Sequence, residues 1–123
     1  MTPYRLWIAA GALLGGLAVA AAAYAAHAAV DPARTRALAS AVQMQGWHAL
    51  ALIACGIWGA QGGWPVHVAG GLFLVGLLLF CGAVWVPQFG GPALGMTAPV
   101  GGTMLMLGWL VLAAAAFRAP ANP

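Results

Sequence analysis

A chain of 123 residues in which 64% of side chains are hydrophobic and 4% are charged cannot cover itself with a water-compatible surface; soluble domains carry roughly a quarter charged residues. Its whole charge set is Arg5, Asp31, Arg34, Arg36 and Arg118, net +3, too scattered for a nucleic-acid surface, which needs basic side chains clustered on one face. A single acidic residue and the absence of lysine leave no paired carboxylates and no Ser-His-Asp arrangement, so no enzyme is expected.

The first apolar run, Leu6 to about Ala28, suffices to span a hydrocarbon core that takes about 20 helical residues. It also has the layout of a cleavable leader, with one Arg ahead of the run and A-x-A patterns at Ala23-Tyr24-Ala25 and Ala26-His27-Ala28. We read it as a retained first span. Gly11 and Gly15 form a GxxxG pattern continued by Ala18, Ala22 and Ala25, and such a stripe lets two helix backbones approach closely in lipid.

Asp31-Pro32 reads as a helix N-cap followed by proline at the first helical position, where its missing N–H costs least. The second span is expected over 37–60. If the helix is unbroken from Pro32 to Ala60 it is about 43 Å long, so its Arg34 and Arg36 turns must lie among headgroups. Gln61-Gly62-Gly63-Trp64-Pro65 is a turn with an interfacial tryptophan. A third span over 66–86 follows, then the breaker run Pro87 to Pro92, and a fourth span over 97–117 in which Gly101 and Gly108 share a face. The spans at 6–28, 37–60, 66–86 and 97–117 make residues 1–123 one all-α transmembrane domain with both termini on the same side. Arg5 and Arg118 on one side balance Arg34 and Arg36 on the other, so the positive-inside rule assigns no orientation. Cys55 and Cys81 lie inside apolar runs, at depths that differ by roughly 15 Å if their helices are antiparallel, beyond disulfide reach.

Several blocks together resemble the family of small four-helix membrane proteins that includes bacterial YgdD and eukaryotic transmembrane protein 256, a domain-of-unknown-function family. They are Ala22 to His27, Gln45-Gly46-Trp47-His48-Ala49-Leu50-Ala51-Leu52, Leu79-Phe80-Cys81-Gly82, Ala98-Pro99-Val100-Gly101-Gly102-Thr103 and Leu107-Gly108-Trp109-Leu110. They fall in the family's order along nearly the whole chain. Ala stands at two usual Gly positions of the first block, Ala98 where bacterial members commonly have Thr, and Met44 where an aromatic is usual. The resemblance implies a four-helix membrane fold and a multi-pass location in the bacterial inner membrane, and brings no reaction with it.

The polar residues within the spans are the candidate functional set: His48, Gln45, His27 and Gln43. An ionisable or strongly polar side chain inside a bilayer faces the bundle interior or a watery cavity. For His48 the functional readings are a metal or haem ligand, a proton relay or a contact for a partner subunit. The plainer reading is a neutral imidazole bonded to a backbone carbonyl on a neighbouring helix. A shared His27–His48 ion site would need the chain after Pro32 to fold back, because a continuous second helix puts the two about 20 Å apart in depth. No cofactor and no metal site are therefore expected. His67 is expected at headgroup level, and the methionines as packing. The expected function is a structural or accessory subunit that associates with a larger membrane complex or with itself, in contact with membrane lipid and not with nucleic acid. The alternative is a small oligomeric transporter or channel for an ion or neutral metabolite, with Gln45 and His48 lining the path; haem or metal binding through His48 is the third.

Overall fold

The computed structural model describes residues 2–28 and 31–118 and is all-helical: α1 Pro3–Ala28, α2 Pro32–Gly62, α3 Trp64–Gln88 and α4 Thr97–Ala116. Asp31 caps α2 in extended conformation, its Oδ1 accepting the Arg34 N–H at 2.9 Å, with Pro32 at the first helical position. Gly63 alone joins α2 to α3, at φ 71°, a conformation that strains any residue carrying a Cβ. The helices outrun the expected spans. α1 begins at Pro3, α2 at Pro32 and α3 at Trp64, because backbone bonding, joined at α2 by the Asp31 cap, continues the helices beyond the apolar runs.

α1, α3 and α4 are each long and apolar enough to cross a membrane. α2 carries Gln43, Gln45 and His48, yet it is the longest helix, has the most buried residues, and runs antiparallel along both α1 and α3. Four helices joined by short connections cross in alternating directions, which puts both termini on one side. α1 packs along α2, α4 packs along α3, and the α2–α3 seam joins the two hairpins, while α1 touches α3 only lightly. The core lies on that central seam, around Leu52, Cys55, Val66, Ala69, Phe73 and Leu77.

Each hairpin is closed at glycine. A Cβ on Gly11 would sit 2.6 Å from the Ala49 carbonyl oxygen of α2, and one on Gly101 would sit 2.6 Å from both the Gly76 oxygen and the Phe80 nitrogen of α3. Gly108 meets the Phe73 ring in the same way, at 2.7 Å. Gly15 is looser, 3.7 Å from the Ala49 Cβ. The Gly11 stripe is thus a seam within the chain. Gly56, against the Tyr4 oxygen at 2.6 Å, and Gly70, against the Trp7 indole at 2.8 Å, do the same work without any GxxxG spacing to announce them.

Candidate functional site

His48 lies midway along α2 with 2% of its surface exposed. Its Nδ1 is 2.6 Å from the Met44 carbonyl oxygen, and its Nε2 accepts the Trp109 indole N–H of α4 at 3.0 Å. A nitrogen facing a carbonyl must carry the proton and a nitrogen facing an N–H cannot, so the ring is neutral with its hydrogen on Nδ1. Phe73 of α3 completes the cluster, with ring centroids 5.5 Å from His48 and 4.9 Å from Trp109. The expectation of a carbonyl on a neighbouring helix is corrected: the carbonyl is that of the preceding turn of α2 itself, which a side chain at i reaches at i−4, and the interhelical partner is an indole.

The remaining candidates separate. Gln45, 7% exposed, donates from Nε2 to the Leu14 carbonyl of α1 at 2.9 Å. Gln43 faces outward. His27 is exposed in the last turn of α1. Because α2 is continuous from Pro32, His48 stands sixteen residues, about 24 Å, below the start of that helix, and the structure does not bring the two histidines together. No group of three or more His, Cys, Asp or Glu side chains able to hold a metal ion exists among the described residues. Cys55 and Cys81 are both buried and free, with the Cys81 thiol directed at the Ala41 carbonyl of α2 at 3.4 Å.

One pair was not foreseen. Trp7 of α1 donates its indole N–H to His67 Nδ1, in the first turns of α3, at 2.9 Å. Each outer helix therefore sends one tryptophan N–H to a histidine on the helix beyond its hairpin partner, α1 to α3 and α4 to α2. The only trace of this in the sequence is that both histidines are matched by tryptophans about sixty residues away.

Beside His48 the space between α2 and α4 opens into an apolar groove of about 740 Å³. Met44 and Trp47 line it from α2, Phe80 from α3, and Ala98, Pro99, Gly102, Thr103, Met106 and Trp109 from α4. Three sequence blocks that lie far apart along the chain thus converge on one surface. Thr103 engages its own helix, its hydroxyl donating to the Pro99 oxygen at 2.8 Å. Chemically the site holds an imidazole with both nitrogens occupied and a lipid-depth cleft whose walls are aromatic, thioether and glycine.

The family described as "Protein of unknown function (DUF423)" matches residues 20–102. The chain belongs to this family. Among DUF423-like relatives, a UPF0382 membrane protein of Staphylococcus aureus (strain bovine RF122 / ET3-1) is 30% identical over 93% of this chain and 97% of its own length. One from Haemophilus influenzae (strain ATCC 51907 / DSM 11121 / KW20 / Rd) is 28% identical over 87% and 90%. A Staphylococcus saprophyticus relative is 28% identical over 93% and 98%. No solved structure matches. These likenesses cover most of the chain. The chain is a multi-pass helical membrane protein, of the architecture found in the bacterial inner membrane.

Proposed function

We propose that this DUF423 protein is a non-catalytic accessory subunit, built to pack against other transmembrane helices, either those of a larger complex or those of a second copy. One observation carries this reading: the polar side chains inside the bundle are engaged in tying its helices together. Gln45 holds α1, His48 holds α4, and no buried side-chain polar atom among the described residues lacks a hydrogen-bond partner. A path for an ion or metabolite past Gln45 and His48 would need those groups open to water, and their bonds speak against it. What remains for function is the outer surface. There Gly16 and Gly46 have nothing within 4 Å of an added Cβ and line an outward groove of about 450 Å³ between α1 and α2, so the close approach that glycine permits is not used within the chain.

The test is purification of the full chain from its native membrane in a mild detergent. The protein should migrate above its monomer mass or bring a membrane protein with it, and Gly46→Leu should reduce that association while leaving the helical content unchanged. A monomer alone, in several mild detergents and in native nanodiscs, would overturn the proposal.

A further inference from the structure

α4 is shorter than its neighbours at the end remote from the termini, and this leaves a feature that the groove beside His48 does not exhaust. Gly101 lies against Gly76 and Phe80, so Thr97, about 6 Å earlier on α4, stands level with roughly Phe80 to Ala83. Above that level α2 and α3 continue without α4. Their exposed seam forms a second cleft, of about 350 Å³, whose floor includes Ala37 and Leu38 of α2 and Val84 and Pro87 of α3.

The two clefts are collinear. Ala37 and Met44 are seven residues apart on one face of α2, and Phe80 and Pro87 are seven apart on one face of α3, so the same two walls continue from one cleft into the other. The combined groove runs from Arg34 to His48, fourteen residues of α2 and about 21 Å of membrane depth.

Its upper end is polar. Arg34, on the bundle-facing side of α2, donates from Nε to the Gln88 Oε1, and Gln88 in turn donates to the Tyr24 hydroxyl at 3.4 Å. The guanidinium is thereby fixed at the rim of the cleft, and its terminal nitrogens have no hydrogen-bond acceptor among the described residues. Among the described residues Asp31 makes no direct pair with the Arg34 guanidinium; its carboxylate accepts the N-cap bond from the Arg34 backbone. An arginine fixed in this way presents paired donors suited to phosphate oxygens.

We propose that this groove is a binding site for one acidic phospholipid, with its phosphate on Arg34 and one acyl chain laid down the groove past Phe80 toward Trp109. Charge complementarity at the rim selects the headgroup, and the apolar walls accept the chain. This site is independent of the subunit reading and of the α1–α2 surface on which that reading draws.

The full chain, purified in mild detergent, is mixed with equal amounts of phosphatidylglycerol and phosphatidylcholine of identical acyl chains, and the retained lipid is weighed by native mass spectrometry. Phosphatidylglycerol should be retained roughly tenfold over phosphatidylcholine. Arg34→Gln should abolish the preference. Arg36→Gln removes the same charge from the opposite, exposed face of α2 and should leave the preference in place. Gly102→Leu should block retention of both lipids, since a Cβ there meets only the Phe80 ring edge at 3.8 Å and a longer side chain fills the groove without moving the backbone. Equal retention of the two lipids would overturn the proposal. So would an equal loss from Arg34→Gln and Arg36→Gln, which reports diffuse charge attraction, or unchanged retention in a Gly102→Leu protein of wild-type helical content.

Discussion

The contact between His48 and Trp109 joins two helices that otherwise stand apart along an open cleft, so its energy should be measurable in isolation. Trp109→Phe removes the N–H and retains most of the ring, while His48→Leu removes both imidazole bonds. A buried group left without its partner costs about 1–3 kcal/mol. The pairwise coupling inside a membrane bundle is smaller, about 0.6 kcal/mol on average and up to about 1.7. A double-mutant cycle on unfolding in detergent micelles should therefore return a coupling in that range, and a value of zero would reduce the contact to ring packing. At this scale the sequence was legible for identity but not for partnership. His48 was conspicuous because an imidazole inside an apolar run needs a reason. Its partner was invisible because Trp109 lies sixty-one residues away, on an apolar helix where no polar pattern marks the face that carries it. The Trp7–His67 pair was hidden for the same reason.

Among the helices, the glycines divide into those that seat a neighbour and those that do not, and substitution should separate the two classes. Gly101→Ala drives a methyl into the α3 backbone, and overpacking of this kind costs about 1–3 kcal/mol. Gly102→Ala, one residue on, adds a methyl at ordinary contact distance and should be neutral or slightly stabilising through helix propensity. Gly11→Ala and Gly16→Ala should repeat the contrast on α1. Thermal unfolding in one detergent checks all four, and equal midpoints for Gly101→Ala and Gly102→Ala would refute the seating argument. The start of α2 could be read in advance at Asp31-Pro32, because capping and proline placement are local chemistry, whereas Trp64-Pro65 reads as part of a turn and proves to be the first turn of α3. Which glycines do the seating could not be read in advance, since that depends on the rotation of each helix about its axis. Gly11 and Gly101 stood out by spacing, whereas Gly56 and Gly70 emerge only once Tyr4 and Trp7 are known to lie opposite them.

For the molecule as a whole, four alternating helices make a topology that labelling can check. Cys55 and Cys81 are buried and should stay silent toward a membrane-impermeant maleimide. Single cysteines at Thr2 and Arg118 should then react from one face of a sealed vesicle, and cysteines at Asp31 and Gly90 from the other. Labelling of Thr2 and Arg118 from opposite faces would exclude an even number of crossings. The architecture was readable from hydropathy and punctuation together, and α2, the least apolar of the four helices, is accommodated because α1 and α3 flank it.

The unequal lengths of the helices carry one more consequence. α4, at 20 residues, measures about 30 Å, the thickness of an average hydrocarbon slab, whereas the 31 residues of α2 measure about 46 Å. In a membrane a few ångströms thicker, the other three helices have further helical turns with which to span it. α4 has no turn in reserve, and the bilayer must thin around Thr97 and Phe117 at a cost of fractions of a kcal/mol per ångström. The shortest helix thus sets the membrane thickness in which the whole protein rests without deforming its surroundings.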